Sequence, residues 1–292
     1  MPHVTEANLT DLATERWSDI PDERLRQVMT ALVKHAHAFV REVEPTPQEW
    51  FAAIEWLTRT GQMCTAKRQE FILFSDVLGI SMLVDAINNR LPTGATPTTV
   101  EGPFHLQDAP EMADGDNMAA GAPGIPCFVT GTVRDTAGNP IAGVSLDIWQ
   151  TDGDGLYEAQ RPEIDGPWMR AIYHSGADGH YTVQTVAPVG YTIPMDGTIG
   201  ELMSRTNISH MRPAHIHFHL TAPGYHPVIT HLFQRGDQYL DTDVVFGVKE
   251  PLIVDFQKQP PGKAPNGETV GTEYYLVNYD FVLERQAQAA AA

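Results

Sequence analysis

"RPAHIHFHL", residues 212–220, sets three histidines, His215, His217 and His219, in strict alternation with Ala214, Ile216, Phe218 and Leu220. Side chains at i and i+2 of an extended chain leave the same face. The alternation therefore predicts a β-strand with three imidazoles on one side and an apolar row on the other. The imidazole row has two readings. It is a solvated strip, or a metal site, because His-x-His on a strand offers two nitrogens to one ion.

The period of two extends well beyond this strand. After about residue 125, "CFVTGTVRDTAGNPIAGVSLDIWQ" reads as strand, turn at "DTAGNP", strand, with the look of a hairpin. "GHYTVQTV" and "HPVITHLF" are further strands, and turn signals recur about every ten residues with no helical pattern between them. Toward the N-terminus the period changes. Leu25, Val28, Met29, Leu32, Val33, Ala36, Phe39, Val40 and Val43 trace one face of a helix that starts at Asp22. "TPQEWFAAIEWL" opens a second helix, with Thr46 as cap, Pro47 in its first turn and Glu49 closing a capping box; Gly61 is expected to end it. A third helical stretch runs from about Thr65 to Arg90, with apolar residues on more than one face, as for a helix buried against a partner. "LPTGATPTTVEGPF" then stops helix formation. The predicted fold is mainly β: an antiparallel β-sandwich over residues 99–292 carrying the chemistry, preceded by a helical dimerisation and linker domain over 1–98. The tail after Glu284 reads as frayed or helical.

Composition removes several classes of function. A formal net charge of −18 opposes binding to nucleic acid or to anionic membranes. No apolar run reaches the ~20 residues of a membrane span, and the first twenty residues lack a basic start and an apolar core, so no secretory signal is expected. Cys64 and Cys127 match no zinc spacing and read as reduced thiols of a cytoplasmic protein.

A cupin-type motif would place a glutamate four or five residues after His217, and none occurs there. Other donors must come from elsewhere. Tyr157 follows "TDGDGL" and Tyr191 sits in "PVGYTIPMDG", where Gly and Pro fix the loop. A phenolate is a hard anionic donor suited to a trivalent cation. By pattern alone, these two tyrosines stand no higher than the other seven.

Taken together, "WQTDGDGLY", "PVGYTIP" and "RPAHIHFHL" resemble the intradiol ring-cleaving dioxygenases, from about residue 22 to 285. The resemblance implies one ferric ion per chain, held by Tyr157, Tyr191, His215 and His217. It gives Tyr191 a further role as a base that leaves the metal, and sets Arg212 beside the ring as a fixed cation. "EFILFSDVLGISMLVDAINNR", "GPFH" and "YLDTDVVFGVKEPLI" are most similar to the hydroxyquinol branch, which cleaves benzene-1,2,4-triol with O2 to 3-hydroxy-cis,cis-muconate, equivalent to maleylacetate. That branch implies a substrate pocket of Leu73, Asp76, Val100, Gly102, Pro103, Phe104, Ile193, Pro194, Arg212 and Val245, and a homodimer through the N-terminal helices. Glu101 stands where many members carry an apolar residue, and His231 where catechol enzymes often carry glutamine. His219 has no implied role beyond structure. Two alternatives stay open: a catechol or chlorocatechol 1,2-dioxygenase, and a non-enzymatic transthyretin-like sandwich that binds a ligand.

Overall fold

The protein is described by a computed structural model covering residues 3–65, 68–90, 92, 94–107 and 109–286. Two compact units can be distinguished, Met1–Arg59 and Thr60–Ala292. In the first, α1 (Leu9–Trp17) precedes α2 (Glu23–Val43). The cap expected at Asp22 is present, its carboxylate accepting from Leu25 N at 2.7 Å. Helix α3 (Pro47–Gln62) opens with the expected capping box: Thr46 N donates to Glu49 Oε2 at 2.8 Å and Glu49 N to Thr46 Oγ1 at 3.2 Å. It runs one residue past Gly61. Helix α1 has no counterpart in the sequence reading, because its few apolar residues leave only a weak amphipathic pattern.

In the second unit, the single helix expected from about Thr65 to Arg90 is two helices, α4 (Glu70–Val77) and α5 (Ile80–Asn88). Gly79 adopts φ +70°, a left-handed conformation that ends one helix and redirects the chain into the next. Residues 66 and 67 of that stretch, Leu91 and Thr93 of the following loop, and the tail from 287 onward lie outside the described residues.

The rest of this unit is built on two packed five-stranded sheets, with two further two-stranded ladders. Its strands are β1 (Pro126–Asp135), β2 (Ser145–Trp149), β3 (Arg170–His174), β4 (His180–Val186), β5 (Tyr191–Thr192), β6 (Met211–Arg212), β7 (His215–Thr221), β8 (Val228–Gln234) and β9 (Ile253–Val254). They continue through β10 (Gln257–Gln259), β11 (Gly262–Lys263), β12 (Thr269–Val270), β13 (Tyr274–Asn278) and β14 (Phe281–Leu283), and α6 (Thr198–Met203) lies between β5 and β6. One sheet has the order β3-β2-β7-β8-β9. The other is built on β1, flanked by β4 on one edge and by β13 and then β14 on the other, with β10 outside β13. The apolar row of β7, Ile216, Phe218 and Leu220, is fully buried against Val129 and Val133 of β1 and Val277 and Phe281 from the far sheet. Truncating such a core phenylalanine to alanine costs about 3–5 kcal/mol.

Two expectations need correction. The sandwich is not strictly antiparallel, since β1 pairs in parallel with both β13 and β14, and β8 with β9. Such pairings join segments far apart in sequence, beyond the reach of local alternation. Likewise, β1 and β2 form no hairpin; the turn between them carries the chain from one sheet to the other. At the point where β13 gives way to β14, β1 has Gly131, and a Cβ there would lie 1.8 Å from the carbonyl oxygen of Tyr279. Only glycine lets the two backbones approach this closely.

Candidate active site

The register of the second sheet assembles the site. Across β7, His217 is paired with Trp149 of β2 on one side and with His231 of β8 on the other. With side chains alternating between faces, His215, His217 and His231 project away from the core, and all are buried beneath loops. The loop before β5 and the loop after β2 bring Tyr191 and Tyr157 over the same face.

Four donor atoms form a connected group. His215 Nε2 and His217 Nε2 are 3.1 Å apart, His217 Nε2 and Tyr157 Oη 3.2 Å, and Tyr157 Oη and Tyr191 Oη 3.3 Å. Bonds from a metal to nitrogen and oxygen are about 2.0–2.2 Å, so cis ligands sit roughly 3 Å apart. The observed spacings are edges of one coordination polyhedron. The tautomer of His215 agrees. His215 Nδ1 lies 2.6 Å from the Pro213 carbonyl, to which it can only donate, leaving the Nε2 lone pair facing the group. Burial holds His215, His217 and His231 well below the usual imidazole range, with Arg212 adding to the effect at each. Neutral nitrogens brought to 3.1 Å repel unless a cation or proton lies between them. Burial likewise pushes the Tyr157 phenol well above its ordinary value, helped by Tyr191 and opposed by Arg212 and Arg170. The donor set therefore fits a metal ion that would hold two phenolates.

Arg212 is 3% exposed, not the surface ion pair that a lone arginine usually makes. Its Nε donates to Asp243 Oδ1 at 3.2 Å and its Nη1 lies 3.1 Å from His215 Nε2, while Nη2 has no partner among the described residues. Asp243 in turn accepts from Gly247 N at 2.9 Å. Burial works against the charge on Arg212, and Asp243 with the two tyrosines keeps it in place.

A narrow cleft opens beside this group, lined by Leu73, Asp76, Val100, Gly102, Pro103, Phe104, Tyr191, Ile193, Pro194, Arg212 and Val245. The ten residues named for the substrate pocket all lie along this cleft. Gly102, at φ +79°, lies over His217, where a Cβ would come within 3.5 Å of the ring. Asp76 is buried on α4, and among the described residues neither carboxyl oxygen has a partner at full hydrogen-bond geometry, the Ser81 hydroxyl being the nearest to act on it. Burial raises its pKa, against smaller opposing pulls from Ser81 and Arg212.

Sequence reasoning missed several residues. His231 shares the face of His215 and His217 and hydrogen-bonds Thr99 Oγ1 through Nδ1 at 2.7 Å, with Nε2 unpartnered among the described residues. The alternation of "VITHLF" puts His231 on one strand face, but only the β7–β8 register brings it to His217. Asp243 and the buried Glu158–Arg170 pair beside Tyr157 carry no local signal at all.

Comparison with known proteins gives the same picture. The dioxygenase family model matches residues 100–285, and the catechol dioxygenase N-terminus model matches 22–96. The chain belongs to the intradiol ring-cleaving dioxygenase family. Among its relatives, a 6-chlorohydroxyquinol 1,2-dioxygenase of Cupriavidus pinatubonensis is 46% identical, over 97% of this dioxygenase and 99% of the relative. A hydroxyquinol 1,2-dioxygenase of a Rhizobium species is 41% identical, with 97% of each chain covered. The solved hydroxyquinol 1,2-dioxygenase of Pseudomonas putida DLL-E4 superposes with a TM-score of 0.87 at 46% identity, over 96% of this dioxygenase and 99% of that chain. Among the described residues no helix is long and apolar enough to cross a membrane.

Proposed function

We propose that this dioxygenase cleaves benzene-1,2,4-triol between its adjacent 1,2-hydroxyls, using O2 and one ferric ion per chain held by Tyr157, Tyr191, His215 and His217. The product is 3-hydroxy-cis,cis-muconate, the enol tautomer of maleylacetate. Both oxygen atoms enter the product, and no outside electron donor is consumed. The reading rests on one observation above all: four donor atoms, neighbouring ones 3.1–3.3 Å apart, at the wall of a cleft lined mostly by apolar residues. It is supported by the hydroxyquinol relatives.

When bound, the iron supplies the redox-active Lewis acid that allows a singlet diol to react with triplet dioxygen. The chain's own groups do the rest. A diol that binds through two oxygens must lose two protons, and Tyr191 takes one of them. Its strand, β5, is two residues long and pairs with the equally short β6, so few ladder hydrogen bonds hold its backbone. Tyr157 is 1% exposed and stays put. Arg212, aligned by Asp243, offers its unpartnered Nη2 to negative charge developing on the substrate. Leu73, Val100, Pro103, Ile193, Pro194 and Val245 keep water out, while Phe104 and Gly102 close the wall. The unpaired Asp76 carboxyl accepts the third hydroxyl of the triol. Catechol lacks that hydroxyl and leaves the buried acceptor unsatisfied.

Residues 1–98 act in this reading as the helical dimerisation and linker part, and 99–292 as the catalytic part. Exposed apolar side chains support a homodimer: Leu25, Val28, Leu32, Phe39 and Val40 on α2, and, in the second unit, Leu78, Ile80, Leu83, Val84 and Ile87. The two free cysteines support a cytoplasmic setting. The test is the visible spectrum of iron-loaded protein before and after anaerobic addition of benzene-1,2,4-triol, followed by oxygen uptake on triol and on catechol. A burgundy tyrosinate-to-iron band that shifts with the triol, and faster uptake on triol, are expected. A colourless active protein overturns the iron assignment, and a preference for catechol moves the substrate to that diol.

A further inference from the structure

A second group of metal-capable side chains meets outside this site, beside Trp149. Glu101 and His105 come from the loop that forms the cleft wall, Asp147 from β2 and His219 from β7. Asp147 and His219 are direct cross-strand partners, so the sheet register fixes two of the four. His105 ties in the loop, with Nδ1 3.0 Å from Glu101 Oε1 and Nε2 2.8 Å from Asp147 Oδ2. One ligand atom each from Glu101, His105 and His219 lies within 4.8 Å of the others. The His105 side chain is 15% exposed and that of Glu101 45%, so the group opens to solvent on the glutamate side. The His105 ring packs on Trp149 with centroids 4.6 Å apart, and Trp149 stacks on His217 at the same separation.

We propose that Glu101, His105 and His219 form a second cation site, for a borderline divalent ion such as Zn2+, separated from the iron ligands by Trp149. Two imidazoles and one carboxylate are the donors such ions select, and the exposed side leaves room for water as a further ligand. The partner of His105 strengthens the assignment. When His105 coordinates through Nδ1, its Nε2–H still donates to Asp147, the carboxylate–histidine–metal arrangement that orients ligating imidazoles. The atoms balance simply. The ion takes the place of the Nδ1 proton, which passes to solvent, and no electron moves. The same loop carries Gly102, Pro103 and Phe104 into the cleft wall, so an ion at this position would pin that wall to β2 and β7.

The experiment uses the full-length iron-loaded protein, freed of loose metal on a chelating resin. It is titrated with zinc chloride by calorimetry, with iron and zinc counted after gel filtration. The wild type is expected to bind one zinc per chain while keeping its iron, and to melt at a higher temperature with zinc than without. His219→Ala and Glu101→Gln should each weaken zinc binding at least tenfold with iron content unchanged, and should lose the zinc-dependent rise in melting temperature. Glu101→Gln alters an exposed side chain, so it keeps the test valid should His219→Ala fold poorly. The proposal is overturned by the absence of a saturable zinc equivalent, by wild-type affinity in both variants, or by zinc that enters only as iron leaves.

Discussion

Phe104 lies flat against Tyr157, with ring centroids 4.2 Å apart and planes 15° from parallel. The same residue gives its carbonyl to Arg170 Nη2 at 3.1 Å, and Arg170 is paired with Glu158, the neighbour of Tyr157 in sequence. The cleft wall and the phenol are thus held as one piece. Phe104→Ala should keep its iron but shift the tyrosinate charge-transfer band. Losing an aromatic pair worth about 0.5–1.5 kcal/mol should raise KM for the triol roughly three- to tenfold. A variant with an unchanged band and KM would show that the stack does not position Tyr157.

The three histidines of β7 should separate by role. His215→Ala and His217→Ala are expected to lose iron and oxygen uptake together. His219→Ala, on the next row of the sheet beside Asp147, should retain most of its iron. Metal analysis of the three purified variants decides the point, and iron loss in His219→Ala equal to the others would mean the ligand pair is misassigned.

Tyr191→Phe removes the proposed proton acceptor while leaving three donors in place. Single-turnover kinetics should show the chemical step slowed by about 10²–10⁴, the usual contribution of a positioned base. The colour should persist through Tyr157. A near-normal rate in a coloured Tyr191→Phe protein would assign the second proton elsewhere.

Asp76→Asn tests substrate choice. A hydrogen bond to a charged acceptor is worth roughly 1.5–3 kcal/mol, or about ten- to a hundredfold in kcat/KM. The loss should fall mainly on benzene-1,2,4-triol and spare catechol, measured on both substrates at matched iron loading. Equal losses on the two would make Asp76 a structural residue.

His105 sits between Asp147 and Glu101, whose hydrogen bonds raise it to about 9, with His219 facing it from β7. Its folded pKa lies above the unfolded value of about 6.5. Its contribution to stability is therefore complete below about pH 6.5 and is lost as pH rises through about 9. With no divalent cation added, the wild type should lose more melting temperature between pH 6.5 and 9.5 than His105→Gln does. Parallel melting curves across that range would show that this pair of hydrogen bonds adds nothing.

Much of the site is legible in nine residues. Alternation in 212–220 forecasts the strand, its buried apolar row and the shared face of His215 and His217, because a period of two is imposed by the backbone itself. The tyrosines are another matter. Tyr157 and Tyr191 are separated from β7 by loops whose paths no local pattern encodes, and only family resemblance brought them forward. His231, Asp147 and His105 join their clusters through strand register and loop closure, which depend on contacts across many residues. The hairpin misreading at "DTAGNP" has the same origin: one turn composition serves equally for a chain that pairs with itself and for one that crosses to the facing sheet. In the stretch around Gly79, the helical period continues on both sides of the break and hides it.

The orphaned carboxyl of Asp76 sets folding and substrate choice against each other. A buried acceptor with no partner costs roughly 1–3 kcal/mol, so an apolar side chain of similar volume at this position should make the ligand-free protein more stable. Selection scored on melting temperature alone would therefore erode the preference for the triol before it disturbed any iron ligand. A lineage relieved of that substrate would have a downhill first step toward a broader diol specificity. The reverse route, from a general diol enzyme to one committed to the triol, begins with a destabilising substitution and needs spare stability from elsewhere in the fold.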